Sequence, residues 1–143
     1  MGLKTAVIDN SAAFGFSIMI TSSFGALDKL AGSPSLVDIL GFAMGAAAAF
    51  TVLQAVTTRG FRRSPGAGPR EVDLLGTAFG ILSVALGLGA AVVAGLLLPA
   101  GAAWAAGAFL AAMAFMLGQA LLLMLAARLE RLRGDPEADA ERG

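Results

Sequence analysis

Charged positions divide the chain into long apolar runs. Residues 10–27, 39–58 and 74–127 contain no Asp, Glu, Lys or Arg. A helix needs about 20 apolar residues to cross the roughly 30 Å hydrocarbon core of a bilayer, so each of the first two runs fits one crossing. As a single helix the third run would be about 80 Å long at 1.5 Å per residue, so it must fold back. Pro99 and Gly101 mark the turn near its middle.

The apolar runs predict an all-α, polytopic integral membrane protein with four transmembrane helices. Runs of Ala, Leu and Gly lack the alternation of polar and apolar residues that barrel strands require. One transmembrane domain is expected over residues 1–133, with a linker at 59–71 and a short disordered polar tail at 134–143. Its helices are expected at about 8–30, 37–58, 73–98 and 102–130.

The composition agrees with a membrane protein and narrows its chemistry. Of 143 residues, 57% are hydrophobic and 14% are charged, whereas about a quarter of the residues of a soluble domain are charged. Zero net charge gives no reason to expect nucleic acid as a partner. The chain has no Cys and no His, which excludes thiol nucleophiles, Ser-His catalysis and zinc or haem held by those residues. We therefore expect no enzyme, no metal site and no cofactor.

The distribution of basic residues predicts the orientation. With four crossings, nine of the ten Lys and Arg residues fall on one side of the membrane, and that side is cytoplasmic by the positive-inside rule. Only Lys29 falls on the other side. We expect both termini in the cytoplasm and, since Arg, Ala and Gly are abundant, a bacterial inner membrane. The nine residues are Lys4, Arg59, Arg62, Arg63, Arg70, Arg128, Arg131, Arg133 and Arg142. A cleaved signal peptide is the alternative for the first helix, but Asp9 and Asn10 interrupt its apolar region.

One face of the first predicted helix combines polar groups with phenyl rings. At spacings of four and three residues, its members form one stripe along the helix. In one interpretation these side chains pack against neighbouring helices, where hydroxyls bond across the interface or to their own backbone. In the other they line a hydrated path, with the phenyl rings as constrictions. The members are Asn10, Phe14, Ser17, Thr21, Phe24 and Asp28.

Small residues on the third and fourth helices predict close helix packing. Lipid is as apolar as leucine, so membrane helices associate by van der Waals contact, which small residues permit. The expected packing positions are Gly76, Gly80, Ser83, Gly87, Gly107 and Gly118. Segments 37–45 and 72–80 also resemble each other, both beginning Val-Asp and containing a GxxxG spacing. This similarity fits either an inverted repeat, as transporters have, or convergence of two unrelated membrane helices.

The charges beside the first loop have two interpretations. Asp28 and Asp38 flank this loop, and Lys29 is the basic residue near them. If this loop lies at the entrance of a channel, its net negative charge would attract cations. Alternatively, the two carboxylates only cap or terminate helices. The candidate lining residues therefore include Asp38 together with the polar stripe of the first helix.

The residues favour a non-enzymatic membrane function. A small chain with surfaces rich in Gly and Ala is expected to form a homo-oligomer or to join a membrane complex within the lipid bilayer. The leading hypothesis is an oligomeric channel or passive conduit for a small ion or solute, lined by the polar face of the first helix. The alternative is a non-transporting accessory or assembly subunit of a larger membrane complex. No ionisable residue lies near the middle of a predicted crossing, which disfavours proton-coupled transport.

Overall fold

The computed structural model describes residues 2–60 and 72–132, which form four α-helices and contain no strand. These helices are α1 (Gly2–Ala31), α2 (Leu36–Gly60), α3 (Val72–Leu97) and α4 (Ala100–Leu132). The prediction of an all-α chain with four helices is confirmed. Most of the predicted linker and the whole predicted polar tail lie outside the described residues.

Within the residues that the structure describes, three helices contain a segment long and apolar enough to cross a membrane. The qualifying segments are Leu36–Val56 in α2, Gly80–Leu97 in α3 and Ala100–Leu129 in α4. The α1 helix is not among them, because its hydroxyls, its glycines and Asp28 reduce its apolar character. The chain is therefore helical and has three segments that could cross a membrane, and a crossing by α1 stays a prediction.

Short turns connect the helices at two places. At the end of α1, Gly32 adopts a left-handed backbone with φ of +88°, the conformation in which glycine commonly terminates a helix. Between α3 and α4, the Pro99 carbonyl accepts hydrogen bonds from the backbone N–H groups of Ala102 and Ala103, both at 2.9 Å. Proline breaks the helix here as the sequence predicts, and its carbonyl begins the next helix. The two helices form a tight hairpin.

The helices run up and down, and α4 contacts all three of the others. The α1 and α2 helices are antiparallel, since Phe24 meets Phe42 while Phe16 meets Phe50, with ring centroids 5.2 and 5.0 Å apart. The α1 and α3 helices are parallel, because Met19 lies against Gly87 and Leu30 lies against Gly95 further along both chains. The loop between α1 and α2 and the α3–α4 turn therefore share one end of the bundle.

The backbone of α4 comes very close to its neighbours at two glycines. A Cβ atom built at Gly45 of α2 would overlap the carbonyl oxygen of Ala105 in α4. A Cβ at Gly87 of α3 would lie 2.9 Å from the carbonyl oxygen of Ala111 and 2.7 Å from Met19 Cγ. No real Cβ tolerates such distances, so only glycine fits at either place. These two contacts set the distance of α4 from α2 and from α3.

Aromatic and small side chains fill the interior between these contacts. Trp104 is only 1% exposed, and its ring lies 5.1 Å from Phe24 and 6.2 Å from Phe42 between centroids. Tilted and edge-to-face pairs of this kind add about 0.5–1.5 kcal/mol each beyond the area that they bury. Further along, Phe16 packs edge-on against Phe115 at 5.6 Å. The rings thus join α1 and α2 to α4.

The α2–α4 contact generates a prediction about its two glycines. Gly45→Ala should destabilise the bundle by about 1–3 kcal/mol, because overpacking at a backbone contact forces the helices apart. Gly41→Ala is the matched control, since its Cβ would meet Ala105 Cβ at an ordinary 3.6 Å. Both substitutions raise helix propensity equally. Thermal unfolding in detergent micelles measures the difference, and equal melting temperatures would contradict the close approach at Gly45.

Candidate functional site

The residues of the predicted stripe on α1 do not all face the same way. Phe14, Ser17 and Thr21 are exposed on the outside of the bundle, whereas Phe24 is half-buried in the aromatic interior. Asp28 is half-buried near the end of α1. Asn10 lies within α1, but its side chain is outside the described part of the structure. The stripe therefore consists of an outward surface and one ring that belongs to the core.

Six exposed residues of α1, from Phe14 to Gly25, form a continuous surface, which we call the α1 outer face. At about 100° per residue they fall within an arc of about 140°. Three of its members carry hydroxyls, and Gly25 has nothing within 4 Å of the position a Cβ would occupy. Its members are Phe14, Ser17, Ile18, Thr21, Ser22 and Gly25. Ile18 and Ser22 are not in the predicted stripe, because that stripe was centred on the Phe24 side of this surface.

Three residues on the opposite face of α1 are completely buried in the bundle, whereas Leu30 at the end of that face is 41% exposed. Met19, Ser23 and Leu27 are all 0% exposed. The Ser23 hydroxyl donates to Met19 Sδ at 3.5 Å, one turn earlier in the same helix, and a thioether is a weak acceptor. The inward-facing hydroxyl is thus satisfied locally and lines no path. The outward hydroxyls are the ones still available to water or to another protein.

Large side chains fill the centre of the bundle over the residues that the structure describes. The largest fully buried side chains are Trp104, Met19 and Leu27. They lie in two clusters, one around Trp104 near the α3–α4 turn and one around Met19 and Phe115 deeper in the bundle.

The predicted packing positions on α3 and α4 have different surroundings. Gly107 faces Leu27 of α1, and Gly118 faces Leu86 and the fully buried Ser83 of α3. Gly87 makes the close contacts described above. In contrast, nothing lies within 4 Å of a Cβ built at Gly80, and the surroundings of Gly76 are outside the described residues. Over the described side chains, the contacts at these positions run from Ser83 toward the turn.

Asp38 has a structural partner at the start of α2. Its Oδ2 accepts hydrogen bonds from the hydroxyl of Ser35 at 2.6 Å and from the Ser35 backbone N–H at 3.0 Å. The Asp38 backbone N–H in turn lies 3.3 Å from the Ser35 hydroxyl oxygen, to which it donates. This reciprocal pattern is a capping box, which satisfies backbone donors that the first helical turn leaves free. Of the two interpretations, the geometry supports a cap for Asp38.

The charges at the end of α1 have no such partner. Among the described residues, neither Asp28 nor Lys29 forms an ion pair or hydrogen bond through its side chain within the chain. The described residues also contain no group of three His, Cys, Asp or Glu side chains that could hold a metal ion. The candidate site is therefore the α1 outer face together with these two adjacent opposite charges.

Comparison with family models, with curated proteins and with solved structures finds no match to this chain.

The capping box generates a prediction for Ser35. Ser35→Ala should lower the melting temperature in detergent by roughly 3 °C, because the first turn of α2 loses its side-chain acceptor. Ser33→Ala, two residues earlier in the same loop, is the control, since Ser33 is exposed and has no hydrogen-bond partner among the described residues. A Ser35→Ala protein as stable as the control would show that the cap contributes nothing.

Proposed function

We propose that this protein is an inner-membrane channel subunit with four crossings and both termini in the cytoplasm. Several copies assemble with α1 toward the centre, and the α1 outer face lines a passive path for a small ion or solute. One observation carries this proposal, namely the outward direction of Ser17, Thr21 and Ser22. No catalytic step is involved, and the chain's contribution is a hydrated surface within the membrane.

The α1 outer face contrasts with the other exposed surfaces of the bundle. The outward residues of α2, α3 and α4 include many large apolar side chains, for example Met44, Val93 and Leu117, which are each more than half exposed. Such side chains suit contact with lipid. A hydroxyl directed at lipid can bond only its own backbone, so lipid does not favour collecting three of them on one helix face. Water or another protein does, which supports a covered or hydrated α1 outer face.

The contacts between α1 and α3 support a fourth crossing. A Cβ at Gly15 would lie 3.9 Å from Val84, and a Cβ at Gly95 would lie 3.1 Å from Leu30 Cβ. Between these points, Met19 lies against Gly87. The α1 helix therefore runs beside the apolar segment Gly80–Leu97 over most of its length. If α3 crosses the membrane, α1 is embedded at the same depth despite its polar side chains.

The basic residues support the orientation within the same proposal. The up-and-down arrangement places the α1–α2 loop and the α3–α4 turn at one end. That end carries Lys29, while the other nine Lys and Arg residues belong to the opposite end or to the segments adjoining it in sequence. By the positive-inside rule the Lys29 end faces the periplasm. Juxtamembrane Arg residues are also attracted to anionic lipid at the cytoplasmic surface.

An accessory subunit is the second candidate, and it too has an observation in its favour. Phe14 is 68% exposed and Ile18 is 44% exposed on the α1 outer face. Large apolar side chains alternating with small ones, such as Gly25, suit a dry contact between helices. In this case a different membrane protein covers the α1 outer face, and the hydroxyls bond across the interface instead of contacting water.

The channel proposal predicts the reactivity of cysteines on α1. Because the chain has no native Cys, single Ser17→Cys and Thr21→Cys variants can be labelled selectively in membranes. Both should react with a small, membrane-impermeant, charged thiol reagent, since a hydrated path also favours the reactive thiolate. Reconstituted Ser17→Val protein should conduct at most half as well as the unmodified chain while its melting temperature is unchanged.

Two control positions at the same depth show how a cysteine reacts when it faces protein or lipid instead of water. Ser23→Cys lies in the buried core of α1, and Ala85→Cys lies on the exposed surface of α3 near the Gly87–Met19 contact. Neither should react, the first because it is covered and the second because it faces lipid. If positions 17 and 21 are as unreactive as these controls, the α1 outer face is dry and the accessory candidate replaces the channel.

The orientation is tested by labelling intact cells from outside. A cysteine at Ser33, in the α1–α2 loop, should react with an impermeant reagent, whereas a cysteine at Ser64, between α2 and α3, should react only after the membrane is opened. The reason is the positive-inside distribution of Lys and Arg. Labelling of both positions from outside would disprove the four-crossing arrangement.

A further inference from the structure

We infer that neighbouring copies of this chain contact each other through parallel α1 helices, with Asp28 of one copy beside Lys29 of the next. This inference deepens the proposed function, since it rests on copies meeting at α1. It adds the chemistry of their contact, which is a reciprocal pairing of opposite charges at the periplasmic end. A second copy of the same chain thus lies against each flank of the α1 outer face, and the middle of that face lines the path.

The positions of the two charges on the helix carry this inference. A line through Phe14 and Gly25 marks the middle of the α1 outer face. At about 100° per residue, Asp28 lies about 50° to one side of that line and Lys29 about 50° to the other. Being consecutive, the two residues also lie at almost the same height. When identical helices stand side by side and parallel, one flank of each meets the opposite flank of its neighbour, so Asp28 meets Lys29.

The surroundings of Asp28 and Lys29 leave both available for this contact. Lys29 is exposed and Asp28 is half-buried, and neither has a partner in its own chain among the described residues. Asp38, the other acid at this end, is held by Ser35 in the capping box. Asp28 is therefore the carboxylate left to meet a neighbour's ammonium. A parallel neighbour supplies one at the right height.

The rest of the α1 outer face is compatible with a helix at this position. Gly25 lies one turn before the two charges and has open space on its outer side, so no side chain at this position keeps the flanks of two α1 helices apart. Thr21 lies one turn before Gly25, near the middle of the same face. An exposed ion pair contributes little affinity, so packing of the helix flanks supplies the contact and the charges select a parallel neighbour.

Charge exchange tests the pairing directly. Asp28→Lys and Lys29→Asp should each weaken self-association by about tenfold in detergent or vesicles, since attraction becomes repulsion at every contact. The double variant Asp28→Lys/Lys29→Asp should recover the original association, because the opposite charges have only changed places. Lys29→Arg keeps the charge and is the control. Analytical ultracentrifugation or energy transfer between labelled chains gives the association constant.

Mixing the two single variants provides a sharper readout. A chain with two Lys residues and a chain with two Asp residues should each associate poorly alone and well with each other. This recovery also shows that both variants are folded, so a loss of self-association is not a loss of structure. If the double variant stays dissociated, or if the mixture associates no better than its components, the pairing is wrong.

Cross-linking tests the contact between α1 helices independently of the channel proposal. A Thr21→Cys chain should form disulfide-linked dimers on oxidation, whereas a Val93→Cys chain, exposed on α3, should not. Cross-linking and charge recovery without conduction in vesicles would keep the α1 contact and remove the channel. If the charge-reversed variants associate as well as the original chain and still conduct, the channel proposal stands and the pairing is wrong.

Discussion

The fold depends on how closely the α4 backbone can approach its neighbours. In lipid, apolar side chains gain nothing by leaving their surroundings, so helices must associate through close contact. Gly45 and Gly87 allow this, because each brings a carbonyl oxygen of α4 within a distance that no Cβ would permit. Once α4 is fixed between α2 and α3, the aromatic rings of α1 pack against α4. The outward direction of the α1 hydroxyls follows from that placement.

Much of the architecture could be predicted from the positions of charges and of turn residues. Uninterrupted apolar runs predicted the number of helices, and Pro99 predicted the hairpin that the structure contains. Packing was less predictable. A row of small residues included both Gly87, which needs its missing side chain, and Gly80, which has open space around it. Spacing assigns residues to one helix face, but it does not show how far along that face the neighbouring helix remains in contact.

The direction of α1 was the part that sequence could not supply. In a soluble protein the more polar face points to water, but lipid removes that rule. Both faces of α1 carry hydroxyls, with Ser17 and Thr21 on one and Ser23 on the other. The difference lies in their partners, since Ser23 finds Met19 in its own helix while the other two meet whatever adjoins the bundle. Phe24 joined the core because a ring could reach Trp104 from the edge of the stripe.

Trp104 gives the molecule an optical property of its own. It is the single tryptophan in the chain, which has no tyrosine, so emission excited at wavelengths longer than phenylalanine absorbs comes from one site. That indole is shielded from solvent and lies between rings of α1 and α2. Its emission and circular dichroism therefore report whether three helices are assembled around it. Separation of α1 or α2 from α4 would alter the spectrum without any added dye.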